Sequence, residues 1–303
     1  MITVFGSVNL DLVTRVAQLP RPGETVPGED ALLVPGGKGA NQALAARRAG
    51  AAVRMAGAVG GDAFAETALS LLRESGVDLA AVLIVDRPTG LASITVDSSG
   101  ENVIVLSPGA NARVTEASAA DLTFAPGDTL LLQMEIATAA SLAAASRARA
   151  AGARTVLSLA PFRPLPADSF APLSLLIVNE TEAADLAAQL GLAAGDATET
   201  VRGLADRLGP TVVATLGPRG AVAATPAGET VAVPALPVTP VDTTGAGDTF
   251  AGVLGAALDA GLPLEPAMRR AAVAGSLACT KVGAQLSMPT AAEIDSALAG
   301  FAS

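Results

Sequence analysis

Short, almost wholly apolar runs alternate with longer alanine-rich segments along most of the chain. Residues 1–6 make the first run, which passes into Ser7-Val8-Asn9-Leu10-Asp11, where Asn9 and Asp11 fall on one side of an extended chain. From residue 121 onward, runs at 129–133, 155–159, 175–178 and 212–215 are separated by stretches of helical character. Brief apolar runs between helices suit a parallel sheet covered on both faces, so the pattern predicts an α/β fold of βαβ units. Ligands bind at the strand ends of such a sheet, which makes Asn9 and Asp11 candidates and leaves ordinary polar loop residues as the plainer reading. Residues 52–60 read as strand then turn, and residues 62–75 as a helix capped by Asp62. Runs 91–96 and 103–106 are joined through Asp97-Ser98-Ser99-Gly100 like a hairpin, while residues 19–35 are rich in Pro, Gly and charge, with 18–25 reading as turn rather than helix. A helix is expected to open at Gly36-Gly37-Lys38-Gly39-Ala40-Asn41-Gln42 and to continue to Ala49.

Composition narrows the function more than the fold. The chain has 303 residues, 50% of them hydrophobic, enough for one large α/β domain or two small ones. A net charge of −10 argues against nucleic acid or an anionic membrane as partner, because no basic excess meets their phosphates. No apolar run reaches the roughly 18 residues of a membrane span, and no signal peptide is expected ahead of Ile2. The single cysteine, Cys279, cannot form an internal disulfide, which fits a reducing cytoplasm; it reads as a small buried apolar residue. Histidine, tyrosine and tryptophan are absent, which excludes a Ser-His-Asp triad, a histidine metal site and Tyr or Trp stacking platforms. Acid–base work therefore falls on carboxylates and lysine.

The chemistry concentrates in Val241-Asp242-Thr243-Thr244-Gly245-Ala246-Gly247-Asp248-Thr249-Phe250. Apolar residues at helical spacing follow, so Gly245 to Asp248 should open a helix, where unpaired N–H groups attract anions and small residues admit a phosphate. An aspartate facing a phosphate is repelled unless it works as a base on a hydroxyl about to attack that phosphate. The plain alternative is that Asp248 only caps the helix. The Gly36 to Gln42 run is not a Walker A loop, since no Ser or Thr follows Lys38. Its glycines instead let a polyhydroxylated ligand lie against the backbone, with Lys38 and Asn41 as donors. The run 175–178 leads into Asn179-Glu180-Thr181-Glu182, whose i and i+3 side chains can either hold Mg²⁺ through waters or form a capping box. Glu135 follows another run and, taken alone, reads as a solvated loop carboxylate.

Gly6-Ser7-Val8-Asn9-Leu10-Asp11, Pro22-Gly23-Glu24-Thr25, Gly36 to Gln42 and Asp242 to Phe250 resemble, in order and spacing, the signatures of the ribokinase-like (PfkB) sugar kinase family. The resemblance spans essentially the whole chain. It implies one domain, 1–303, a three-layer α/β/α sandwich with a largely parallel central sheet. It also implies a small β lid from about 12–35 and 90–107, through which family members often form homodimers. The implied activity is transfer of the ATP γ-phosphoryl group to the terminal 5-hydroxyl of D-ribose. Asp248 would act as base with the amides of Gly245, Ala246 and Gly247, while Asn9, Asp11, Gly37, Lys38, Asn41 and Glu135 would hold the sugar. Asn179, Thr215, Gly217, Gly220 and Gly247 would bind the nucleotide, and Asn179 and Glu182 would hold Mg²⁺ through water. A K⁺-type cation would sit on Asp242, Thr244, Ala278, Lys281, Gly283 and Ser287, most of them through backbone carbonyls. One departure stands out: Ala272 occupies a position where relatives can carry a histidine near the adenine, which implies a more apolar adenine site here. Kinases of deoxyribose, nucleosides or ketoses share these motifs, and so would a catalytically silent sugar- or nucleotide-binding regulator, although the intact Asp248 and Asn179/Glu182 pair argues against silence. A dinucleotide dehydrogenase is disfavoured because no G-x-G-x-x-G follows the first run.

Overall fold

The structure, a computed structural model, describes residues 1–301. In chain order its strands are Ile2–Phe5 (β1), Asn9–Arg15 (β2), Leu32–Gly36 (β3), Val53–Gly60 (β4), Asp78–Val85 (β5), Gly90–Val96 (β6), Asn102–Ser107 (β7), Thr129–Leu132 (β8), Arg154–Ser158 (β9), Leu175–Asn179 (β10), Thr211–Thr215 (β11), Ala221–Ala224 (β12) and Thr230–Val233 (β13). Nine of them form one sheet in the order β13-β12-β11-β10-β9-β8-β1-β4-β5. Pairing is parallel from β11 through to β5, and the antiparallel pair β12–β13 closes one edge.

Why the central runs are apolar throughout is plain from the layers. One apolar cluster joins one face of the sheet to helices Lys38–Arg48, Ala63–Glu74, Ala246–Asp259, Leu264–Ala278 and Ala291–Phe301. A second joins the other face to helices Glu116–Ala120, Thr138–Ala150, Glu180–Gln189 and Ala197–Leu208. Strands β1 and β8 are thus buried on both sides, with no polar face to alternate. The result is the three-layer α/β/α sandwich that the resemblance implied, built of the βαβ units that the alternation predicted. Asp62 caps helix Ala63–Glu74 by accepting from the Ala65 amide at 3.0 Å, as expected from its position.

The remaining four strands form a second sheet, β3-β2-β6-β7. It draws its strands from 9–15, 32–36, 90–96 and 102–107 and so begins at Asn9. Asn9 and Asp11 therefore lie on the first strand of this smaller sheet and not at the end of a central strand. Residues 52–60 are corrected too: β4 runs unbroken to Gly60, with no turn inside it. Strands β5, β12 and β13 carried no clear signal. Ala221–Ala224 is three alanines and a valine, a helix-favouring composition held extended by ladders on both sides.

Two helices are brought unusually close. A Cβ on Gly252 would lie 2.5 Å from the Gln42 carbonyl oxygen and 2.7 Å from Ala45 Cβ, so helices Ala246–Asp259 and Lys38–Arg48 meet where one has no side chain and the other only a methyl. That approach carries the first turn of each helix to the same point.

Candidate active site

Asp248 lies in the first turn of helix Ala246–Asp259 and is 7% exposed. The capping reading fails, because its carboxylate caps nothing. Asn41 Nδ2 donates to Asp248 Oδ2 at 2.9 Å, and Gln42 Nε2 donates to Oδ1 at 3.1 Å. Gly245 sits just ahead of the helix at φ 76°, and a Cβ there would come within 2.9 Å of Ala284 Cα. Of the expected anion-binding amides, that of Ala246 is engaged with the Thr243 carbonyl at 3.2 Å. Gly247 and Asp248 lie in the first turn, where N–H groups have no carbonyl four residues back within the helix. A side chain on Gly247 would meet nothing within 4 Å, so the backbone there faces open space.

The expected sugar residues converge on the same point. Gly37 has φ 90°, and a Cβ on it would lie 2.7 Å from the Asn9 amide nitrogen. The glycines of this run thus serve chain-to-chain packing as well as an approaching ligand. Glu135 Oε2 accepts from Ser7 Oγ at 2.6 Å and from the Lys38 amide at 3.1 Å, and Ser7 Oγ accepts from the Gly39 amide at 3.2 Å. Glu135 is therefore no solvated loop residue; it ties the Ser7 turn to the helix start. Asn9 is 2% exposed, and its Oδ1 accepts from Asn111 Nδ2 at 2.7 Å, which leaves its own amide group as the donor for a ligand. Asn41 Oδ1 is buried and accepts nothing from the protein, which is costly unless a ligand or solvent hydroxyl donates to it. Sequence motifs assign no role to Ser7, Gln42, Asn111 or Gln133. Asn111 and Gln133 sit in stretches without a motif, and only the fold brings them here.

Charge follows the same geometry. Burial, then Glu135 and Asp248, push the Asp11 carboxyl up to about 7, with Lys38 opposing. Asp248 first, then Glu135, Glu182 and Asp11, hold the Lys38 ammonium above its ordinary value against the effect of burial. Burial raises the Glu182 carboxyl in spite of the Asn179 amide and Lys38.

Asn179 and Glu182 form the capping box: Asn179 Oδ1 accepts from the Glu182 amide at 2.8 Å, and Glu182 Oε2 from the Asn179 amide at 2.9 Å. The side-chain oxygen of Asn179 is thereby committed, while a half-buried carboxylate with one oxygen outside the box fits an oxygen-preferring cation held through water. Asp242 accepts from the Thr244 amide at 2.9 Å and the Gly283 amide at 2.8 Å. Burial works against its ionisation, but these bonds outweigh it and hold the carboxyl below its usual range. The Val241 and Asp242 amides both donate to the Cys279 carbonyl, so the two candidate cation loops are fastened together. Lys281 turns its ammonium away to Glu293 at 3.0 Å, and Ser287 Oγ donates to the Ala284 carbonyl at 2.8 Å. Of Lys281 and Ala278, only backbone carbonyls suit a cation.

Beside Gly247 opens a cavity of about 510 Å³, lined by Thr215, Gly217, Gly220, Leu236, Pro237, Pro240, Phe250, Ala272 and Cys279 among others. Thr215, Gly217, Gly220 and Ala272 line this one cavity, and Asn179 does not. Cys279 is half-buried on its wall and not a core residue, with its thiol raised by burial and by Asp242.

A buried carboxylate beside a glycine-rich helix start, with a cluster of polar side chains on one side and an apolar cavity on the other, is the kind of site a nucleotide-dependent phosphotransferase needs. The chain matches the pfkB family of carbohydrate kinases over residues 1–291, and it belongs to that family. A ribokinase of Lactococcus lactis subsp. lactis is 38% identical over 301 residues, covering 98% of this chain and 96% of that protein. The crystal structure of a Thermotoga maritima ribokinase superposes with a TM-score of 0.90 at 30% identity, covering 99% of both chains. That of an Arabidopsis thaliana ribokinase complexed with ribose and ATP gives 0.87 at 29% identity, covering 98% of each.

Proposed function

We infer that the chain is an ATP-dependent kinase of D-ribose, moving the γ-phosphoryl group to the terminal 5-hydroxyl to give D-ribose 5-phosphate and ADP. The observation that carries this is Asp248: buried, spared from capping, and held by Asn41 and Gln42 between the hydroxyl-binding cluster and the cavity that shares Gly247. Asn9, Asp11, Gly37, Lys38, Asn41 and Glu135 orient the sugar so that its 5-hydroxyl reaches Asp248. The Asp248 carboxylate takes the hydroxyl proton as the oxygen attacks, and the amides of Gly245, Gly247 and Asp248 stabilise charge on the group in transit. Adenine lies in the apolar cavity against Phe250, Pro237 and Ala272. Phosphoryl transfer asks a protein mainly for positioning and charge neutralisation, and this set supplies both.

Glu182, with Asn179 shaping its turn, is the group that would hold Mg²⁺ through water. Held there, the ion would supply charge neutralisation for the phosphates. Asp242, Thr244 and Gly283, with the carbonyls of Ala278 and Lys281 and Ser287 nearby, would hold K⁺ and so brace Gly245. Unchanged rates across potassium concentrations in desalted protein refute that part. The chain acts as one domain, 1–303, with the smaller sheet as its lid and as the interface of a homodimer. The interface is supported by the apolar side chains that this sheet exposes, Leu32, Leu33 and Val103 to Leu106. Among the described residues no helix is long and apolar enough to cross a membrane. The lone cysteine supports a reducing cytoplasm.

The test is ADP release over a panel of sugars and nucleosides, with and without Asp248→Asn. Ribose should be the preferred acceptor, and the substitution should lower turnover by roughly 10²-fold or more while ATP still binds. Near-normal turnover in Asp248→Asn overturns the base assignment, and a nucleoside preferred over ribose overturns the substrate.

A further inference from the structure

Behind Asp248 lies a second pair of side chains. Gln42 Nε2 donates to Asp248 Oδ1 at 3.1 Å, and Gln42 Oε1 accepts from Gln133 Nε2 at 2.8 Å. Both glutamines are buried, at 1% and 0% exposure. The chain of bonds has one direction. A carboxylate only accepts, so Gln42 must turn its NH₂ group to Asp248. Its oxygen then requires a donor, which Gln133 provides. Gln133 does this at a cost: its own Oε1 is buried without a partner, pressed so close to Gly6 that a Cβ there would lie 1.8 Å from it. Stability alone would favour an apolar side chain of the same length at 133, since a buried carbonyl without a donor is destabilising. What the glutamine adds is the fixed orientation of the Gln42 amide.

We propose that Gln42 and Gln133 are positioning residues for the catalytic base, Gln133 locking the amide of Gln42 and Gln42 locking Oδ1 of Asp248. With Oδ1 fixed, rotation of the carboxylate is checked even when Asn41 turns from Oδ2 to a sugar hydroxyl, so Oδ2 keeps its aim at the attacking oxygen. Neither glutamine is among the sugar-facing residues, and the nucleotide cavity lies elsewhere. Their effect therefore belongs to the chemical step. The inference rests on Asp248 being the base.

The test is a double-substitution cycle with Gln42→Met, Gln133→Met and both together, reading kcat and the KM values for ribose and ATP. Gln42→Met should lower kcat by about 10-fold and Gln133→Met by about 3- to 10-fold, with both KM values within about threefold. The double variant should be no slower than Gln42→Met within about twofold, because Gln133 acts through Gln42. A double loss equal to the product of the single losses, a kcat preserved in Gln133→Met, or losses confined to KM each overturn the proposal. If Gln133→Met does not fold, Gln133→Leu removes the donor while keeping an apolar side chain of similar bulk and adding no ionisable group. It must then lose kcat by a similar factor, and full kcat refutes the pair. An active Asp248→Asn would mean that the base is misassigned. An inactive Asp248→Asn beside a full-rate Gln42→Met would sink the positioning pair alone.

Discussion

A Cβ on Gly36 would lie 2.2 Å from Asp11 Oδ2, so the Asp11 carboxylate rests directly on the backbone of the neighbouring strand β3. It is shielded from water there, close enough to Glu135 and Asp248 to be pushed up to about 7. A carboxyl whose folded value exceeds its unfolded one binds extra protons in the native state, so it weakens the fold as pH rises from about 4 to about 7. Asp11→Asn should therefore raise the Tm of the ligand-free protein at pH 8, by a gain on the order of a few kcal/mol, and hardly at all near pH 4. A Tm difference that is flat with pH, in parallel thermal melts, would place the shift elsewhere. The same variant should lose sugar affinity, since Asn offers one acceptor where Asp offers two.

Gly245→Ala meets two obstacles, a positive φ and a contact with Ala284. The expected cost is roughly 1–3 kcal/mol, seen as a lower denaturant midpoint, together with slower turnover as the anion-binding turn shifts. Gly247→Ala is the control, because its Cβ meets open space. It should fold as well as the unsubstituted chain, and equal destabilisation of the two variants would contradict the packing argument.

Asn9 is the polar side chain fixed by Asn111, with its amide left to a ligand. A pocket that hydrogen-bonds a hydroxyl penalises the analogue lacking it by roughly 1–3 kcal/mol per unpaired group. Ribose should be preferred over 2-deoxyribose by at least about tenfold in kcat/KM, and Asn9→Met should narrow the gap. Equal kcat/KM for the two sugars in the unsubstituted protein would point to water bridging the missing hydroxyl and to a broader specificity.

Strand β7 exposes Val103, Ile104, Val105 and Leu106 along a free edge, an arrangement that invites pairing with another sheet. Light scattering should give a dimer mass for the unsubstituted chain and a monomer mass for Ile104→Lys/Leu106→Lys. A monomer in the unsubstituted protein at micromolar concentration refutes the homodimer.

The sequence read well where one physical cause dominated. Buried central strands need apolar runs on both faces, so β1, β8, β9, β10 and β11 stood out within a residue or two. Glycines that must meet another chain segment, at Gly37 and Gly245, stood in recognisable runs. What stayed hidden depends on tertiary approach. Asn111 and Gln133 reach the site only because β1 neighbours β8 and the turn after β7 folds back over Val8. Alanine-rich β12 could not be told from helix by composition, since its strand character comes from its neighbours. Asn9 and Asp11 read as a pair but on the central sheet, because nothing local marks the change of sheet between Phe5 and Asn9.

That change of sheet takes only three residues, Gly6, Ser7 and Val8, all buried, with Ser7 bonded to Glu135 and Val8 to Asn111. The link to the smaller sheet thus has no slack here; its first strand would act as a lever whose fulcrum sits at the proposed sugar site. Any tilt of that sheet swings Asn9 and Asp11 with it, and any ligand that grips those two side chains resists the tilt. Sugar affinity and the attitude of the smaller sheet would then be two readings of one equilibrium, and a force applied to the outer edge at β7 would register at Asp11.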